Sequence, residues 1–398
     1  MHKVELLAPA GDLEKLKIAV MYGANAVFIG GEKFSLRARA SNFTLEDIKE
    51  GCDFAHKHNV AVHVTCNILP HEMDMEGLKE YLKGLESAGV DAVICASPLI
   101  ITTALKETKM EVHVSTQENT LSSKMVKFWK DLGVHRVVLG RELSVDEIKD
   151  IKMNADLDIE VFIHGGMCVS YSGRCMLSNI MTNRDANRGG CAHSCRWNYD
   201  LLVGSEKINP DGDYFQMSSK DLCSIYDLES LLKTGVDSFK IEGRMKSLHY
   251  IATVVKTYRM MIDEYNLTGA IKNLDYYMNF LSKAENRLTS HGFLRNDLGI
   301  LQQLYNSRSE NPTQDFVGIV KSYDKTTKEA IVEVRNFFLP HEELEIFGPN
   351  KRDTIVKVED IYDLEGNVLD ACRHPKDLVK FKCELDLEEY DMIRLVRK

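Results

Sequence analysis

The feature that most constrains this chain is a junction that recurs along its first two-thirds: YGANAV, HNVAV, AGVDAV, LGVHRV and TGVDSF. Each sets Gly23, Asn59, Gly89, Gly133 or Gly235 at the end of a helix-like segment, just before an apolar, β-branched run. Glycine and asparagine accept the left-handed backbone that closes many helices. The apolar runs are VELLAPA (4–10), AVFIGG (26–31), AVHVTCN (61–67) and AVICASP (92–98), then EVHVSTQ (111–117), RVVLGRE (136–142), IEVFIHG (159–165) and SFKIEGR (238–244). Near-continuous Val, Ile and Phe suits strands buried on both faces, as parallel strands are. Between them, segments such as DLEKLKIAVMYGANAV repeat apolar positions three and four apart, the helical period. Eight strand–helix units with short joints predict an α/β chain folded as a (β/α)8, TIM-like barrel over residues 1–270. A doubly wound sheet is the other option, but no dinucleotide fingerprint accompanies the strands.

Barrel enzymes work at the C-terminal ends of their strands. Those ends carry Arg37, Arg39 and Asn42 after the second strand, Asn67 after the third, and Ser115, Thr116 and Gln117 at the fifth. Arg141 and Glu142 close the sixth, His164 the seventh, and Glu242 with Arg244 the eighth. Singly, each of these can be read as a loop-fixing hydrogen-bonder; together they read as the lining of a pocket. Arg37, Arg39 and Arg141 suit a carboxylate, because a guanidinium fork matches its two oxygens.

The rhythm breaks once, between strands seven and eight, where an insertion over residues 166–233 replaces a short loop. Residues 164–197 hold four of the ten cysteines, four arginines and five glycines. The insertion's cysteines are Cys168, Cys175, Cys191, Cys195 and Cys223, separated by 6, 15, 3 and 27 residues. Structural zinc favours C-x2–4-C pairs, and only Cys191 and Cys195 qualify. A catalytic thiol needs a partner base, and one nucleophile leaves the other cysteines unexplained. An iron–sulfur cluster takes four thiolates at irregular spacing. Spacing alone leaves cluster, zinc and uncoordinated thiols open, and does not choose four ligands from five.

Beyond the barrel, residues 271–314 read as a helical linker ending in the polar SRSENPTQ. Residues 315–398 alternate short strand-like runs with turns, which predicts a small C-terminal antiparallel β-barrel. No export signal is recognisable in MHKVELLAPAGD, and the most apolar run, VDAVICASPLIITTAL, is broken by Asp91 and Pro98. The expectation is a cytoplasmic protein without a membrane partner, in a compartment where thiols stay reduced. A net charge of −10 argues against indiscriminate nucleic-acid binding but leaves room for a local basic patch.

HGGMCVSYSGRCMLSN, followed by NRGGCAHSCRW, SSKDLC and FKIEGRMKS, closely resembles the collagenase-like peptidase U32 family. LLAPAGD, RARASNF, STQENT and VVLGREL are similar to that family's pieces in the same order, and the resemblance covers nearly the whole chain. What it implies is divided. Some members are described as collagen-degrading proteases. Others are oxygen-independent hydroxylases that carry a 4Fe–4S cluster, draw oxygen from prephenate, and act on the tRNA wobble uridine, ribosomal RNA or a ubiquinone precursor. The chain looks most like the branch that makes 5-hydroxyuridine in tRNA. The resemblance implies Cys168, Cys175, Cys191 and Cys223 as cluster ligands, with Cys195 as a spare; other relatives use a close pair like Cys191 and Cys195. His193 and Ser194 stand where many relatives have other residues.

On this reading tRNA, the carboxylate prephenate and an electron donor are the partners. Arg184, Arg188, Arg196, Arg244 and Lys246 are candidate RNA contacts, with a solvated charged loop as the plainer alternative. His164 and Glu242 are candidates for proton transfer, although a structural histidine is the plainer reading of the first. Two further classes stay open: a U32-type peptidase, for which neither H-E-x-x-H nor G-x-S-x-G is present, and a non-enzymatic cluster- or RNA-binding accessory factor.

Overall fold

Parallel strands need a helix to return the chain, and the described residues repeat that unit until the sheet closes. The computed structural model describes residues 3–36, 42–284, 287–297, 299–304 and 315–396. Strands β1 (Glu5–Pro9), β2 (Ala26–Gly30), β3 (Ala61–Cys66), β4 (Ala92–Cys95), β5 (Glu111–Val114), β6 (Arg136–Val138) and β7 (Asp158–Gly165) pair in sequence order. The closing strand, Ser238–Ile241, is parallel to both β1 and β7, which makes the barrel complete. Helices α1 (Leu13–Met21), α2 (Leu45–Lys57), α3 (Leu78–Ser87), α4 (Pro98–Glu107), α5 (Ser123–Leu132) and α6 (Val145–Asn154) form most of the outer ring. Their ends follow local chemistry. Thr44 with Asp47, and Ser144 with Glu147, form reciprocal capping boxes. Gly133 ends α5 at φ 98°, and Asn59 takes φ 58° before β3, as the recurring junction requires.

The barrel lumen departs from the apolar reading of its strands. Glu160, fully buried on β7, accepts from Lys240 Nζ at 2.7 Å and Arg136 Nη1 at 3.2 Å, and Arg136 also donates to Glu5 at 2.6 Å. Burial alone would raise the Glu160 carboxyl; Lys240 and Arg136 outweigh it and hold it down at about 2. Lys240 also lies 4.6 Å from the Phe28 ring centre. His63 and His113 meet edge to face beside this network.

The insertion is ordered. It contains α7 (Leu177–Thr182), a two-strand hairpin (Leu202–Val203 with Glu206–Lys207), and α8 (Leu228–Thr234). Within it, Asp221–Cys223 returns antiparallel to the end of β7, pairing Cys223 with His164. After the closing strand come α9 (Leu248–Thr268) and α10 (Leu274–Ser282). Thr289–Ser290 then joins Asp221–Cys223 in parallel, and Gln303–Leu304 pairs with Ser218–Ser219, so this stretch is woven into the top of the barrel. The SRSENPTQ segment lies outside the described residues.

The C-terminal region is an eight-stranded antiparallel sheet with its own apolar core, including Val317, Val332, Ile346 and Phe381. Among the described residues its end strands, Lys351–Lys357 and Val368–Leu369, do not pair with each other. The antiparallel strands expected for this region are present as a separate sheet with a core of its own. It is fastened to α1, α9 and α10 by buried polar groups. Tyr22 donates to Tyr390 O at 2.8 Å, Lys256 Nζ donates to the carbonyls of Gly348 and Lys351, and Tyr276 of α10 donates to Asp353 Oδ1 at 2.7 Å. No helix among the described residues is long and apolar enough to cross a membrane.

Candidate active site

The insertion lies across the C-terminal mouth of the barrel, held by contacts from three loops. From the end of β6, Arg141 donates to Gly166 O at 2.6 Å and to Ser172 Oγ at 3.1 Å, with its guanidinium 5.0 Å from the Phe162 ring centre. After β5, Gly173 packs so tightly on Gln117 that a Cβ would stand 2.8 Å from the Gln117 carbonyl oxygen. After β3, Leu69 N–H donates to Asn187 O at 3.2 Å, and Arg188 forks onto Asp74 at 2.6 and 2.7 Å. Arg188, predicted to touch RNA, is thus engaged in fastening the insertion.

Beneath it the rim is polar and braced. Asn67 Nδ2 donates to Gln117 Oε1 at 2.7 Å, Ser115 Oγ donates to the same oxygen at 3.1 Å, and Gln117 Nε2 returns to Asn67 O at 3.0 Å. Gln117 is buried, and its carboxamide holds Asn67 in place. Asn42 is half-buried, with its Oδ1 enclosed and without a hydrogen-bond partner. Arg37 and Arg39 lie outside the described residues.

Arg244 sits inside the mouth rather than on it. It is 4% exposed, and its Nη1 donates to Thr65 Oγ1 at 2.9 Å and Ser35 Oγ at 3.1 Å. That burial corrects the reading of Arg244 as a surface phosphate contact. Its guanidinium crosses Gly30, where an added Cβ would lie 2.3 Å from both terminal nitrogens. Gly30→Ala therefore overpacks the mouth, at a cost of about 1–3 kcal/mol. Thermal unfolding checks the cost. Lys246 is half-buried 5.2 Å from the Tyr250 ring centre.

His164 is buried, and its Nδ1 is 3.1 Å from the Tyr258 hydroxyl. Its Nε2 is enclosed without a hydrogen-bond partner. Burial, helped by Lys246, lowers its pKa to about 3, so the ring stays neutral. The Glu242 N–H donates to His164 O at 2.8 Å, which locks the last turn of the closing strand to β7. Tyr258, on α9, also reaches Cys223 Sγ at 4.0 Å. Sequence pattern had no means of finding Tyr258, which lies within a helical run of core residues.

Four of the five thiols share one neighbourhood. Burial raises the Cys195 thiol, Arg196 opposes that, and the charges of Cys168, Cys191 and Cys175 add to the rise. Cys223 is buried, and burial raises its thiol against the hydrogen bonds it receives from the Ile225 backbone and Tyr258. Among the described residues no three His, Cys, Asp or Glu side chains are placed to hold a metal ion. The donor set is nevertheless the chemistry an iron–sulfur cluster requires: soft ligands on loops, with Gly173 and Gly189 at positive φ between them. Arg184 donates to Cys191 O at 3.5 Å, and Arg196 is half-buried beside His193.

The same geometry weighs against a thiol protease. Cys223 and His164 are register partners, but burial raises the thiol and lowers the imidazole, the reverse of a thiolate–imidazolium pair.

The sequence profile of Peptidase family U32 matches residues 11–303, and that of the Peptidase family U32 C-terminal domain matches residues 312–394. The chain belongs to peptidase family U32. Among its relatives, tRNA hydroxylation protein P1 of Bacillus subtilis is 47% identical over 98% of this chain and 94% of that protein. The Escherichia coli 23S rRNA 5-hydroxycytidine C2501 synthase is 39% identical over 66% of this chain and 40% of its own length. The Porphyromonas gingivalis protein named Collagenase is 31% identical over 92% of each chain. The family label alone does not separate RNA modification from proteolysis; the site has to.

Proposed function

We propose that this U32 protein is an RNA-modifying enzyme that hydroxylates the wobble uridine of tRNA at C5, in the cytoplasm, with prephenate as oxygen donor. The observation that carries the reading is the anchorage of the cysteine-rich insertion on the strand ends of the barrel, where Arg141 holds Gly166 and Ser172 and Gly173 packs on Gln117. The relatives named for tRNA and rRNA hydroxylation support the substrate class.

Cys168, Cys175 and Cys191, with Cys195 as the fourth, would hold the 4Fe–4S cluster. When bound, that cluster supplies one-electron chemistry, and a separate electron donor keeps it supplied. The chain's own residues bind, orient and exclude water. Arg141 uses two of its five N–H groups to hold the insertion, leaving others at the mouth for a carboxylate. Asn67, fixed by Gln117, offers a rigid polar contact. His164, kept neutral by burial and with Nε2 enclosed, offers an uncharged hydrogen-bonding group beside Tyr258.

Deleting the gene is expected to remove 5-hydroxyuridine derivatives from bulk tRNA, read by mass spectrometry of digested nucleosides, and the wild-type gene restores them. Unchanged nucleosides in the deletion strain overturn the proposal.

A further inference from the structure

Resting on the reading of RNA as substrate, we infer that the solvent face of the insertion is a stacking platform for unpaired bases. Tyr171 and Trp197 are its rings, and Arg174, Arg184 and Arg196 are its phosphate contacts. The rings are 55% and 41% exposed, and among the described residues neither has an aromatic or cation–π partner. Exposed rings of this size are available to stack on a base. Tyr171 lies between Cys168 and Cys175 in the chain, and Trp197 follows Cys195 by two residues, so both rings flank the thiol group.

Charge selects the occupant. Residues 164–197 carry four arginines against a single acid, Asp185, in a protein of net charge −10. Arg188 is taken up by Asp74. The other three donate only to Gly173 O, Cys191 O and His193, and among the described residues none forms a salt bridge with a carboxylate. Guanidinium groups interleaved with exposed rings fit a single strand, because every base has a π-face and every link a phosphate. A duplex hides its base faces and would leave Tyr171 and Trp197 without a role.

The test measures affinity of the full-length, cluster-loaded protein for a hairpin RNA with an unpaired loop, and for a blunt duplex of equal length. Tyr171→Ala and Trp197→Ala are each expected to weaken loop binding by about 5- to 150-fold, the range for losing one base–aromatic stack. Tyr171→Phe and Trp197→Phe should stay within about twofold, since the ring is kept. Arg174→Gln, Arg184→Gln or Arg196→Gln should each shallow the logarithmic salt dependence by about 0.7, the value for a single-strand phosphate contact. Retained iron and sulfide in the alanine variants shows that the insertion has kept its fold. Loop affinity unchanged by both alanines overturns the inference. So does an equal loss on the duplex, or a selective loss of reduction by a protein donor with RNA binding intact, which would mark a protein-docking face. Loop binding that follows these expectations while the deletion strain keeps its 5-hydroxyuridine leaves the platform standing and removes the hydroxylase reading alone.

Discussion

Alanine at Cys168, Cys175 or Cys191 is expected to strip iron from the anaerobically purified protein and to lower 5-hydroxyuridine by more than about 100-fold. Groups that merely support a metal ligand already cost roughly 10- to 100-fold when removed, and a direct thiolate should cost more. The resemblance implies Cys223 as the fourth ligand, and Cys195, which feels the charges of Cys168, Cys175 and Cys191, is the other candidate. Cys223 is on a strand paired with β7 and beside Tyr258. With Cys195 as the ligand, Cys195→Ala removes iron and Cys223→Ala leaves it in place. The opposite result would mean that Asp221–Cys223 turns outward when the cluster forms. Iron and sulfide quantitation with the anaerobic absorption spectrum reads both variants directly. Cys372→Ser, in the separate C-terminal core, should leave the iron untouched.

The barrel was legible because its evidence is local and repeated. Helix-ending Gly or Asn, then four to eight apolar residues, is a pattern that short-range sterics enforce at every turn of the barrel. The insertion was equally legible, as a break in that rhythm crowded with thiols. What did not show was direction. Arg244 sits at a strand end like Arg141, yet one is enclosed by Gly30, Ser35 and Thr65 while the other is half-exposed, and only the curvature of the closed sheet decides which. Cys195 and Cys223 likewise differ by the path of a chain that spacing does not encode. The lumen charges escaped for another reason. Glu160, Lys240 and Arg136 each interrupt an otherwise apolar strand, and a single polar residue in a strand reads as solvent-facing until its partner is known from a distant strand.

That lumen network carries the largest expected effect on stability. Glu160→Gln leaves two cations where one buried anion had balanced them, and breaking a buried pair by removing one partner costs about 3–5 kcal/mol. The loss falls unevenly. Arg136 keeps Glu5 at 2.6 Å, while Lys240 keeps only the faces of Phe28 and Phe162. The double variant Glu160→Met/Lys240→Met should therefore recover most of the loss, because apolar side chains of similar volume can replace a buried pair at little net cost. Acid titration supplies a second, independent reading. The Glu160 carboxyl is held at about 2 in the folded protein against 4.5 for an unperturbed glutamate. A carboxyl whose pKa is depressed on folding contributes stability that is complete above the unfolded value and is lost as pH falls toward the folded one. Wild-type stability should thus decline between roughly pH 4.5 and pH 2 with a component that the Glu160→Gln variant lacks. Urea unfolding midpoints across that window measure it. Parallel acid limbs in the two proteins would mean that Glu160 is not the titrating anion, and that the lumen cations are balanced by Glu5 alone.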